Sequence, residues 1–109
     1  MTFEEYQHKS RKTALYPNSG SNYIYPTLGL ADEAGEVVGK VKKVIRDHGG
    51  VMNDGHKEEI AKELGDVLWY VSQIATELNL SLKAVAVGNI EKLYSRLERG
   101  VLGGSGDNR

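Results

Sequence analysis

Residues 30–41, LADEAGEVVGKV, and residues 60–71, IAKELGDVLWYV, decide how this chain folds. Laid over one another, Leu30 meets Ile60, Ala31 meets Ala61, Glu33 meets Glu63, Gly35 meets Gly65, Glu36 meets Asp66, Val37 meets Val67 and Val41 meets Val71. Around the two windows apolar residues recur at helical spacing: Leu30, Ala34, Val37, Val41 and Val44 in the first, Ile60, Leu64, Val67, Val71, Ile74 and Leu78 in the second. At 3.6 residues per turn each set forms one stripe along a helix. No stretch alternates with period two for long enough to make a strand. The expected fold is all-α, an antiparallel bundle of about four helices.

Outward from these windows, Thr2 with Glu5 three residues later is a capping-box signal for a first helix running to about Leu15. A polar linker spans Tyr16 to Tyr25, and Pro26 suits the first position of a long second helix that Gly49-Gly50 ends. The linker from Val51 to Gly55 leads into a third helix to about Asn79. Ser81 caps a fourth, which ends near Arg99-Gly100. Residues 100–109 form a glycine-rich tail outside the helices, and residues 1–109 read as one domain.

The acidic residues carry the chemistry. Within each window two carboxylates stand three residues apart, one turn apart on one helix face. By helical geometry all four lie about 80–140° to the same side of their stripes, at the border of the core. If the two helices form a hairpin with their acidic sides turned to one cleft, Glu33, Glu36, Glu63 and Asp66 converge. Carboxylates in a shared site resist joint ionisation unless a cation is present, and an all-oxygen donor set suits Mg²⁺, with Mn²⁺ as a substitute. The bland alternative is a solvated acidic face. A glycine inside each pair argues against it, because glycine within a helix costs about 1 kcal/mol relative to alanine.

Composition narrows the partners. Fourteen Lys and Arg against fifteen Asp and Glu leave a net charge of −1, so bulk charge does not recommend nucleic acid or an anionic membrane. With no cysteine, thiol catalysis and Cys-based zinc sites are excluded. His8, His48 and His56 show no ligand spacing, and neither acidic pair carries the Glu-x-x-His of a di-iron bundle. The N-terminus is too charged for a signal peptide, so a cytoplasmic protein is expected.

These motifs resemble the all-α nucleoside triphosphate pyrophosphohydrolases, in their small single-domain MazG-like branch. Glu33-x-x-Glu36 and Glu63-x-x-Asp66 look like that family's two acidic motifs. Asn89-x-x-Lys92-Leu93 followed by Arg96 matches its next signature, and Gly104-Ser105-Gly106-Asp107-Asn108-Arg109 looks like the ending of many short members. The resemblance covers residues 26–109. It implies hydrolysis of a (deoxy)nucleoside triphosphate between the α- and β-phosphates, yielding a monophosphate and pyrophosphate. Glu33, Glu36, Glu63 and Asp66 would hold Mg²⁺, and Asn89 and Lys92 would contact phosphate or sugar. Lys92, Arg96, Lys40 or Arg109 would face the leaving pyrophosphate. Asp32 stands where related enzymes often carry a Glu. Tyr70, and Trp69 beside it, read either as core or interface packing or as a stack on a base for which Gly29 leaves space, and the tail would order over the nucleotide. A homodimer or homotetramer is implied, with dGTP first among substrates. The rivals are a dUTP, dCTP or phosphoribosyl-nucleotide enzyme of the same superfamily, and a helical module that binds nucleotide without turnover.

Overall fold

A computed structural model describes all of residues 1–109 and contains four helices and no strand. They are α1 (Phe3–Arg11), α2 (Ile24–His48), α3 (Asp54–Glu77) and α4 (Leu82–Glu98), so the expected all-α class is borne out.

Local chemistry sets the helix ends, and the differences from the expected boundaries have local causes. The Thr2–Glu5 capping box forms as expected. α1 stops at Arg11 rather than near Leu15, because the Thr13 hydroxyl turns back to the Ser10 carbonyl at 2.6 Å and also accepts from the Trp69 indole at 2.8 Å. α2 begins two residues before Pro26. The Asn22 side chain accepts from the Tyr25 amide at 3.0 Å, and Pro26 is tolerated because first-turn amides have no acceptor within the helix. Gly49, at φ 59°, closes α2 in the left-handed conformation that glycine adopts without strain. The third helix starts earlier than expected: Asn53 caps it, accepting from the His56 amide at 2.8 Å, while His56 Nδ1 accepts from the Asn53 amide at 3.2 Å. Ser81 caps α4 as expected.

α2 and α3 form the backbone of the fold, a long antiparallel hairpin. Its register is read from residues facing across it: His48 with His56, Lys40 with Glu59 and Glu63, and Gly29 with Tyr70. α1 packs on α3, and α4 packs on α1 and α3 but not on α2. No helix is long and apolar enough to cross a membrane.

The α1–α3 contact is held by a polar network. Glu77, whose side chain is almost fully buried, accepts from the Tyr16 hydroxyl at 2.5 Å, the Gly20 amide at 2.9 Å and the Asn22 amide, and pairs with Arg11 at 3.4 Å. Ser10, Ser72 and Gln73 continue it inward, and no buried side-chain polar atom lacks a partner. Burial by itself would raise the Glu77 pKa. The hydrogen bonds from Tyr16, Gly20 and Asn22, with the Arg11 charge, outweigh it and hold the carboxyl below its ordinary value. This network fastens the loop between α1 and α2 to the end of α3, and so sets where α2 begins.

The apolar core is small: among apolar residues only Ala14, Tyr16, Pro26, Val44, Ala75 and Leu82 are buried. The radius of gyration is 16.8 Å, against about 13 Å for a compact domain of this length. Val38, Ile45 and Leu64 on the hairpin and Ile90, Tyr94 and Leu97 on α4 remain exposed.

Candidate metal centre and nucleotide site

The hairpin register brings Glu33, Glu63 and Asp66 together, with one carboxylate oxygen from each lying within 4.8 Å of the others. Glu33 and Glu63 are half-buried and Asp66 is exposed. Glu36, one turn further along α2, is exposed and lies outside this trio. Burial first, then the contact with Glu63 and the charges of Asp66, Glu63 and Asp32, raise the Glu33 pKa from 4.5 to about 7. The negative charge of Asp66 also contributes, after burial, to a raised pKa at Tyr6 on α1. Crowded carboxylates on two rigid helices are a donor set that a hard divalent cation fits and relieves.

Lys40 and Tyr70 occupy equivalent places in the repeated sequence, yet antiparallel packing sends them to opposite ends of the trio. Lys40 Nζ lies 3.7 Å from Glu63 and 3.8 Å from Glu59. Tyr70 lies against the backbone of Gly29, where an added Cβ would overlap its ring. The expectation that Gly29 leaves space for a base is therefore corrected, since the space is filled by Tyr70. Burial first, then Tyr25 and the negative charges of Glu33 and Asp32, raise the Tyr70 pKa. Trp69 meets Tyr70 edge-on at 5.0 Å, and Tyr16 links Trp69 to Tyr25, stacking on the latter at 5.0 Å. Tyr16 and Tyr25 were not singled out from the sequence, although Tyr25 and Gly29 stand four apart on one face of α2, a spacing that could have flagged them.

The remaining candidates gather elsewhere. Asn89 is exposed on α4. Lys92 Nζ lies 3.2 Å from Asp107, and buried Arg96 donates to the Asp107 carboxylate and to the Gly106 and Asp107 carbonyls. Arg109 donates to the carbonyls of Val101, Leu102 and Gly106. Gly100, Gly104 and Gly106, all at positive φ, let residues 100–109 fold back in this way. Within one chain, Lys92 and Arg96, on a helix that does not pack against α2, and Arg109, in the tail itself, thus serve the tail.

Comparison with known proteins gives the family. The family model described as the MazG nucleotide pyrophosphohydrolase domain matches residues 25–101, which include both acidic motifs and the Asn89–Arg96 segment. The chain is 45% identical to the "Gene 37 protein" of Mycobacterium phage L5, in an alignment covering all of both chains. No solved structure matches it. A family match over most of the chain, on the helices that assemble the carboxylate trio, places this protein in the MazG nucleotide pyrophosphohydrolase domain family.

Proposed function

We propose that this protein hydrolyses (deoxy)nucleoside triphosphates between the α- and β-phosphates with the help of Mg²⁺ or Mn²⁺. The observation that carries this reading is the trio Glu33, Glu63 and Asp66, one carboxylate oxygen of each within 4.8 Å of the others, a crowding that raises the Glu33 pKa and that a cation would relieve. These three would hold the metal, and Glu36 would supply a fourth carboxylate from the next turn of α2. When bound, the metal neutralises phosphate charge and lowers the pKa of an attacking water. That water adds to the α-phosphorus. The bond from this phosphorus to the bridging oxygen breaks, pyrophosphate leaves with that oxygen and its electron pair, and the water's proton passes to a carboxylate and then to solvent.

The open shape of the single chain supports a working homodimer or homotetramer. Ile90, Leu93, Tyr94, Leu97 and Leu102 line an apolar hollow on α4 that nothing in the chain covers, and exposed apolar surface of this kind marks an interface. A second copy seated there brings Asn89 and Lys92 to a neighbouring site, where they contact phosphate or sugar. Tyr70 packs beside the base, and dGTP is the first substrate to try.

The test is incubation of the protein with each canonical ribo- and deoxynucleoside triphosphate and Mg²⁺, with separation of products and a Glu63→Ala control. Monophosphate and pyrophosphate from one nucleotide, lost in the variant, are expected. Unchanged nucleotide in every tube, with Mn²⁺ also tried, favours the rival reading of a helical module that binds nucleotide without turnover.

A further inference from the structure

The two helices of the hairpin run antiparallel, and this gives the site a direction. On one side of the carboxylate trio stand Gly29, Tyr70 and Tyr25, and on the other stands Lys40. Beyond Lys40, between the end of α2 and the start of α3, lies a cavity of about 240 Å³ lined by Lys40, Lys43, Asp47, His48, His56 and Glu59. Lys40 stands between it and the trio: its side chain lines the cavity, and its ammonium is 3.7 Å from Glu63.

The cavity wall offers cationic donors more freely than acceptors. Both Asp47 oxygens are taken by Arg46, at 2.8 and 2.9 Å. Glu59 faces Lys40 at 3.8 Å. Lys43 has no ion-pair partner within 4.0 Å. His56 Nδ1 is occupied as an acceptor of the Asn53 amide, so the neutral ring carries its proton on Nε2 as a free donor. The His48 ring sits 4.5 Å from it. On α4, by contrast, Arg96 is buried and spends its donors on the tail.

We infer that this cavity is the receiving site for the pyrophosphate leaving group, with Lys40, Lys43, His48 and His56 as its donors, so that the nucleotide lies along the hairpin with its base at the Tyr70 end. The inference rests on the pyrophosphohydrolase reading and assigns the polarity of that same site. Lys40 is the switch between the two halves. With Glu63 holding a cation, the Lys40 ammonium would turn from that carboxylate to the β- and γ-phosphates.

Lys43 and His48 are exposed, so replacing them leaves folding intact. The experiment is calorimetric titration of the full chain with inorganic pyrophosphate plus Mg²⁺, and separately with a nucleoside monophosphate plus Mg²⁺, for the parent protein, Lys43→Gln and His48→Gln. Each variant is expected to weaken pyrophosphate binding by about tenfold, the loss of one charge-assisted contact, and to leave monophosphate binding unchanged. Unchanged pyrophosphate affinity in both variants overturns the assignment, as does equal weakening of both ligands or a parent protein that binds no pyrophosphate. If the parent binds pyrophosphate through these residues yet cleaves no triphosphate, the catalytic reading falls and the anion site stands.

Discussion

Replacing Glu33 with glutamine should stabilise the metal-free protein while removing its response to magnesium. In the folded chain the Glu33 pKa rises from 4.5 to about 7, through burial and then Glu63, Asp66 and Asp32. A carboxyl that holds its proton more tightly when folded stabilises the native state on the acid side. That stability is lost as the pH climbs from the ordinary carboxylate value through about 7. The gap in pKa sets a ceiling of about 3.4 kcal/mol, and solvent screening at a half-buried site lowers the expected effect to about 1–2 kcal/mol. For a chain of this size that is a shift in melting temperature of roughly 5–10 °C. The assay is thermal unfolding at fixed protein concentration from pH 5 to 8, in chelator and in excess Mg²⁺. In chelator the parent should melt lower at pH 8 than at pH 5, and Mg²⁺ should reverse the drop. Glu33→Gln should melt above the parent at pH 8, converge with it near pH 5 and gain little from Mg²⁺. A parent whose melting is flat across this range and indifferent to Mg²⁺, with a variant no more stable at pH 8, would refute the crowding of carboxylates on which the site rests.

Other consequences follow from the same contacts. Glu77→Ala leaves the Arg11 charge, the Tyr16 hydroxyl and two loop amides without their acceptor and should cost about 3–5 kcal/mol in urea unfolding, whereas Glu77→Gln, which keeps the shape, should cost less. Because the Glu77 pKa is lowered in the folded state, the stability it contributes is present above the ordinary carboxylate range and fades as the pH falls through the lowered value, a loss that acid titration of the parent against Glu77→Gln isolates. Gly29→Ala should push the Tyr70 ring off the helix backbone, changing the near-ultraviolet circular dichroism and lowering kcat/KM for the preferred nucleotide, with far-ultraviolet helicity unchanged. Tyr94→Lys on the open face of α4 should drive the sedimenting species toward the monomer, and turnover should fall with it if α4 serves a neighbouring site.

The repeated pattern at 30–41 and 60–71 was enough to read two amphipathic helices and four border carboxylates as a candidate donor set for a cation, because helical periodicity and carboxylate repulsion act over one or two turns. The Thr2 and Ser81 caps and the Gly49 stop were legible for the same reason. Tertiary packing decided the rest. The sequence alignment treats Lys40 and Tyr70 as equivalents, and only the antiparallel sense of the hairpin separates them, setting one beside Glu63 and the other over Gly29. Register chose which three carboxylates meet and left Glu36 outside them. The links from Glu77 to Tyr16 and from Arg96 to Asp107 join residues whose partners no local pattern names. A helix tells each side chain which face it occupies, whereas the side chain it meets across that face depends on how two helices slide and turn against each other, a choice made by the packing of the whole chain.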